Sequence, residues 1–271
     1  MSNKNQIKPL EQFETNLTTL LDKGVEAIPS DVNSDRLKIN ALMAIGQNQN
    51  LMKVAKSQPA VIAQYVYNFI IQGLDMLNNE AYIVPYGNKL TPVIDYRGEK
   101  KIAMQYSVKP IRHIKSGVVY ANDEFYFNDE NDHFRHKPNP FAAKKDRGEK
   151  IGAYCSIIYE DGTIQDVFVN KEEIDQVKGV SPSSNSAYSP WNKWEESMWE
   201  KTVIRKAMNR YVNLDFRSPE QQMAYKESSQ DVQFGNQRQS QQPVEEVDVF
   251  YVEFTNVDEE YFNIAKERVN K

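Results

Sequence analysis

Residues 60–76, AVIAQYVYNFIIQGLDM, constrain the fold of this chain more than any other stretch. Wound as a helix they are apolar on nearly every side, so other elements must cover the whole cylinder. Ahead of them, Ser34 and Asp35 start a helical pattern through Leu37, Ala41, Met43, Ala44 and Ile45, and LMKVAKSQ continues it to Pro59. Residues 1–33 are polar with scattered Leu and Phe, interrupted by Pro9, Gly24 and Pro29. They predict a mobile arm holding one short amphipathic helix around Glu11–Leu21.

At Asn78 the pattern changes from helix to strand. AYIVPYGNKLTPVIDYRG has β-formers on both sides of Gly87-Asn88, a hairpin-turn dipeptide, while Pro85 and Pro92 suit edge positions or bulges. EKKIAMQYS predicts a helix after Gly98. VKPIRHIKSGVVYA, EFYFN and HFRHKP predict strands linked by turns at Ser116-Gly117 and Asn122-Asp123. PNPFAAKKDRGEK is a polar loop, IGAYCSIIYEDGTIQDVFVN a second hairpin around Asp161-Gly162, KEEIDQVK a short helix, and GVSPSSNSAYSP a flexible loop. Helices followed by antiparallel strands make an α+β fold.

One long helix is predicted over 191–211, WNKWEESMWEKTVIRKAMNRY, opened by Ser189-Pro190. At 100° per residue Trp199, Val203, Ala207, Tyr211, Ile204 and Met208 fill one arc, and Lys201, Arg205, Lys206 and Arg210 the opposite one. Glu195, Glu196 and Glu200 sit near its N-terminus, where the helix dipole favours negative charge. Past Leu214, ESSQDVQFGNQRQSQQP is rich in Gln and Ser with almost no β-branched residues, which predicts a disordered linker over 218–243. The final segment, 244–271, mixes acids with aromatics and suits a docking element.

Overall the chain carries a formal charge of −5, which argues against nucleic acid until it is divided. Residues 220–271 hold 5 Lys+Arg against 11 Asp+Glu, leaving 28 against 27 for residues 1–219. The acidity belongs to the tail, and the body is free to carry a basic surface. No run of about 18 apolar residues predicts a membrane span. The N-terminus lacks a signal-peptide pattern, and a single cysteine, Cys155, excludes an internal disulfide. These features predict a cytoplasmic protein.

No phosphate-binding Gly-rich loop, dinucleotide fingerprint or Gly-x-Ser-x-Gly elbow occurs. His133 and His136, near Asp129, Glu130 and Asp132, resemble a metal or nuclease site. Residues three apart on a strand point to opposite faces, however, so the two rings do not converge. Cations gather in three places: Arg97, Lys100 and Lys101 beside Tyr96; Lys144, Lys145 and Arg147 in the polar loop; and Lys201, Arg205, Lys206 and Arg210 on the long helix. Tyr82, Tyr86 and Trp194 add flat faces. Cations that track a backbone, with aromatics for stacking, make a sequence-tolerant single-strand interface. Solvated lysines, and a carboxylate partner for Arg205, remain the competing structural readings.

Two segments carry a family resemblance. Gly73-Leu74-Asp75…Leu77-Asn78, then AYIVPYGN and, eight residues on, YRG, resembles the signature of RecT-family single-strand annealing proteins of phages and prophages. SPW…MWEKTVIR resembles the same family's C-terminal helix, whose Lys-Thr-x-Ile-Arg core stands here as Lys201-Thr202-Val203-Ile204-Arg205. Family members often have glycine near position 81, where this chain has Ala81.

The resemblance implies an annealing core over residues 34–217, similar to that of the eukaryotic single-strand annealing recombinase, with strands backed by a long helix and DNA in a basic groove. It implies ATP-independent coating of single-stranded DNA by a homo-oligomeric ring or filament, with no cofactor. Partners implied for residues 244–271 are a phage exonuclease and a host single-strand-binding protein. By position, Tyr96, Arg97, Lys100, Lys101, Lys201, Arg205, Lys206 and Arg210 become the DNA candidates. The helices over 37–58 are expected to carry the contact between subunits. A metal-dependent nuclease using Asp129, Glu130, Asp132 and His133, or a structural phage protein that assembles without DNA, are the alternatives.

Overall fold

The computed structural model of the chain describes residues 4–229, apart from 87–88, 129–132, 140 and 182–188. The expected Gly87-Asn88 turn, the acidic run at 129–132, most of the flexible loop at 179–190 and the segment 230–271 therefore lie wholly or largely outside the described residues. The described chain divides into two compact units rather than the single 34–217 core expected. One runs to Gly98 and resumes at Arg217; the other is Glu99–Phe216.

The first unit is built around the apolar helix. α1 (Lys4–Lys23), α2 (Ser34–Gln47) and α3 (Gln49–Ser57) precede α4 (Pro59–Ile71) and pack around it. Asn33 and Asn48 cap α2 and α3 by accepting hydrogen bonds from the amides of Arg36 and of Asn50 and Leu51, and Pro59 opens α4. Ile62, Ala63, Val66, Phe69 and Ile71 are fully buried. The mobile arm expected over 1–33 is corrected here. α1 lays Phe13 and Leu17, both fully buried, along α4. Burial of such side chains contributes about 1.5–3 kcal/mol each, enough to hold the helix down.

α4 ends in a Schellman motif: Gly73 takes φ 72°, its amide donates to the Ile70 carbonyl, and the Leu74 amide donates to that of Phe69. Asp75 follows with no exposed surface. Its Oδ1 accepts from the Leu77 and Asn78 amides at 2.9 and 3.3 Å. Its Oδ2 accepts from Asn40 Nδ2 at 2.7 Å and Asn78 Nδ2 at 3.1 Å, with Arg36 at 3.5 Å. The chain then enters the hairpin of β1 (Ala81–Tyr86) and β2 (Lys89–Ile94), paired from Ala81↔Ile94 to Tyr86↔Lys89. The Glu80 carbonyl accepts from the Asp95 amide and lies where a Cβ on Gly98 would come within 2.2 Å. So GLD…LN and YRG form one backbone clasp, in which the glycines serve a positive φ and a close approach.

The second unit starts inside α5 (Tyr96–Tyr106). β3 (Ile111–Tyr120), β6 (Lys150–Tyr159) and β7 (Ile164–Asn170) make an antiparallel sheet in the order β3-β6-β7, and β4 (Glu124–Asn128) pairs with β5 (His133–Lys137) as a separate hairpin. After α6 (Lys171–Val180), the expected long helix breaks at Trp194 (φ −129°, ψ 44°) into α7 (Pro190–Lys193) and α8 (Glu195–Tyr211). α8 packs on all three strands of the sheet. Phe125, Phe134, His136, Tyr154 and Phe168 form an aromatic cluster joining the hairpin to the sheet's other face, with ring centroids 5.2–6.0 Å apart. Ser116-Gly117, expected as a turn, lies inside β3. Gly117 opposes Tyr154, and a Cβ there would meet that ring at 3.0 Å, so the glycine makes room for an aromatic rather than a bend.

The expected linker also starts later than position 218. α9 (Pro219–Ser229) is a helix of the first unit, contacting α4 and β2. Buried Gln221 donates to the Ile71 carbonyl at 2.7 Å, and Asn68 donates to Glu227 at 2.8 Å. The polar composition concealed a helix held by hydrogen bonds more than by apolar area.

Candidate nucleic-acid interface

The cations of α5 and α8 do converge within the second unit. Arg205 Nε lies 3.1 Å from Glu99 Oε1, and Lys100 is near enough for its charge to act on Cys155 of β6. The convergence is closed rather than open. Glu99, Lys201 and Arg205 are all buried, 4–9% exposed. The arc expected to face water is packed: Glu99 reaches Arg205 from α5, and α8 also contacts α6 and the sheet. Lys206 is half-buried and paired with Glu173 at 2.5 Å. Arg210 is exposed, its guanidinium 5.7 Å from the Tyr211 ring. Lys100 and Lys101 are half-buried, while Arg97 is exposed beside Tyr96 at 5.4 Å.

In the loop group, Lys144 and Lys145 lie on the 3-10 turn Lys144–Arg147, and Lys145 is exposed. Arg147 is committed elsewhere. Its Nε and Nη2 donate to Asp123 at 2.9 and 2.5 Å, its guanidinium stacks over Tyr120 at 4.1 Å, and His136 Nε2 lies 2.9 Å from the same carboxylate. An open cleft of about 380 Å3 adjoins this hub, lined by Tyr120, Lys145, Lys150, Lys171, Glu195, Glu196 and Trp199. Lys150 pairs with Glu195 at 2.6 Å and Tyr120 Oη donates to Glu196 at 2.6 Å, so its acids and bases largely neutralise one another.

Burial raises the Asp123 pKa, but hydrogen bonds from Arg147, His136 and the Tyr120 amide outweigh it and hold the group at about 2, against an ordinary 3.8. A depressed carboxylate stabilises the fold above its unfolded pKa, and the benefit is lost as pH falls through the folded one. The gap in stability between the parent and Arg147→Met is therefore expected to be full above about pH 4 and to shrink toward pH 2. Urea unfolding across that range measures it, and a gap that stays constant contradicts the assignment.

The structure also brings out cations that the sequence pattern did not. Arg112, His113 and Lys115 are exposed on β3, and Lys193 is exposed on α7, 5.4 Å from the Trp194 ring. RHIK was absorbed into a strand pattern; a bulge between Ile111 and His113 is what turns Arg112 outward. The two histidines of HFRH part as expected: His133 lies 3.6 Å from Asp166, and His136 sits on Asp123. Cys155 is fully buried and burial pushes its thiol up to about 12, leaving no thiolate for nucleophilic work. Among the described residues no three His, Cys, Asp or Glu side chains could jointly hold a metal ion, and no helix is long and apolar enough to cross a membrane.

The described residues make a mixed α+β fold with exposed cations on several elements. The sequence model of the RecT family matches residues 35–245, most of the chain, and the protein belongs to that family. RecT-family proteins bind single-stranded DNA, oligomerise and anneal strands in phage recombination. No curated protein matches the chain.

Proposed function

We propose that this protein coats single-stranded DNA as a homo-oligomeric ring or filament and pairs it with a complementary strand without ATP or any cofactor. The observation that carries this reading is the RecT match over 35–245. Annealing is downhill through base pairing, so the protein need only hold the backbone and leave base edges open. The core is inferred to be arranged like that of the eukaryotic single-strand annealing recombinase. α2 and α3, which bury Leu37, Ala41, Met43, Ile45, Leu51 and Ala55 and are otherwise half-buried or exposed, would carry the contact between subunits. Residues 244–271 would dock a phage exonuclease or a host single-strand-binding protein, all in the host cytoplasm.

Phosphate contacts are assigned to Lys144 and to the exposed or half-buried cations Arg97, Lys100, Lys101, Lys145 and Arg210, with Tyr96 stacking. Lys201, Arg205, Lys206 and Arg147 would support them from behind, through the packing and ion pairs described above. Lys100→Ala, Lys145→Ala and Arg210→Ala are each expected to lower affinity for any oligonucleotide sequence and to reduce the salt slope by about 0.7. Filter binding from low to moderate salt reads this, and unchanged slopes in folded variants reject the contacts. The decisive experiment is annealing of complementary oligonucleotides without ATP, with electron micrographs taken with and without the strands. Magnesium-dependent degradation of labelled DNA would establish the nuclease instead, and particles identical without DNA the structural protein.

A further inference from the structure

The sheet of the second unit has two edges, and they differ. Beside β7, Asp166 Oδ2 accepts from the Phe134 amide of β5 at 2.8 Å, so the neighbouring hairpin screens that side. β3 pairs with β6 alone, and among the described residues no backbone group bonds along its outer side between Arg112 and Gly117. There Arg112, His113 and Lys115 are exposed. Neither Arg112 nor Lys115 has a carboxylate partner among the described residues; Lys115 Nζ has only the Tyr154 ring, at 6.0 Å.

An edge strand invites another strand, and lysine on it repels most candidates. An acidic strand is the kind that this edge admits. The chain contains one. Residues 245–260 hold seven Asp and Glu and no Lys or Arg, and within them Val247–Phe254, VDVFYVEF, is six parts β-branched or aromatic to two parts acid. From residue 246 onward this segment lies beyond the family match, so nothing in that match assigns it a role. Fifteen residues separate it from the end of α9 and span up to about 50 Å when extended.

We propose that residues 245–254 of the same chain add to β3 as an outer strand, their acids beside Arg112, His113 and Lys115. Main-chain hydrogen bonds supply the affinity, and the opposed charges fix the choice of strand. The docked tail covers three cations of the second unit and ties the chain's acidic end to its basic edge.

Hydrogen exchange on the full chain tests this without DNA, so it stands or falls apart from the annealing reading. The alternate, outward amides between Arg112 and Gly117 are expected to be protected in the parent. The paired substitution Val249→Pro and Val252→Pro, outside the described residues, should speed their exchange at least tenfold and leave β6 amides unchanged. Lys115→Glu should do the same, and adding Glu246→Lys and Glu253→Lys should restore protection. Exchange on β3 that ignores the prolines overturns the proposal. So does protection that disappears on dilution, which would give the edge to a second copy.

Discussion

Arg205→Ala is expected to destabilise the second unit by about 3–5 kcal/mol, because it takes the guanidinium away from the buried Glu99 carboxylate. Glu99 is 4% exposed and its Oε1 lies 3.1 Å from Arg205 Nε. For a unit of this size the melting temperature should fall by on the order of 10 °C. Removing both charges, with Glu99→Gln and Arg205→Met, should recover most of the loss, since an apolar replacement of a buried pair is often near neutral. That double variant, once folded, also isolates the DNA question. If its affinity and salt slope match the parent's, the guanidinium positions α5 on α8 and does not touch phosphate. An Arg205→Ala protein that melts with the parent but loses one phosphate's worth of salt dependence would reverse the assignment.

Asp75→Ala carries the other large expected effect. Its carboxylate accepts two backbone amides and two side-chain amides with no exposed surface, and each hydrogen bond to a charged acceptor contributes about 1.5–3 kcal/mol. Alanine leaves those donors without an acceptor at the point where α4 hands over to the hairpin. A loss of at least 4 kcal/mol is expected in urea unfolding of the first unit. Asp75→Asn, which keeps one acceptor oxygen for the turn amides, should lose less than half as much. Alanine within 1 kcal/mol of the parent would show that the clasp is held by Gly73, Glu80 and Gly98 without it.

Most elements were legible from residue patterns. The buried helix, both hairpins at 81–94 and 150–170, and the capped helix at 171–180 follow from apolar period and turn residues that local physics enforces. The family signatures were legible as strings but not as roles. GLD…LN and YRG stand in the sequence only as a family likeness; their role emerges when Gly98 is seen to lie under the Glu80 carbonyl. Lys201 and Arg205 looked solvated because one helix shows its own faces, and nothing in α8 reveals that Glu99 will arrive from α5. α9 was missed for the same reason: Gln221 has no apolar signal, and its partner carbonyl at Ile71 is 150 residues away. Arg112 depended on a strand irregularity that period-two alternation does not foresee.

The returning helix α9 sets an order on biosynthesis. The ribosome delivers residues 4–98 first, yet the Ile71 carbonyl and the Asn68 amide wait for Gln221 and Glu227. Everything from Glu99 to Phe216 must emerge in between, roughly 10 s of translation. Ser107 meanwhile bridges Leu214, and the Tyr106 carbonyl accepts from the Asp215 amide, so the inserted unit closes its own two ends as they appear. The segment made first is finished last, and a ribosome stalled anywhere in that interval leaves α4 bare on the flank that α9 should cover.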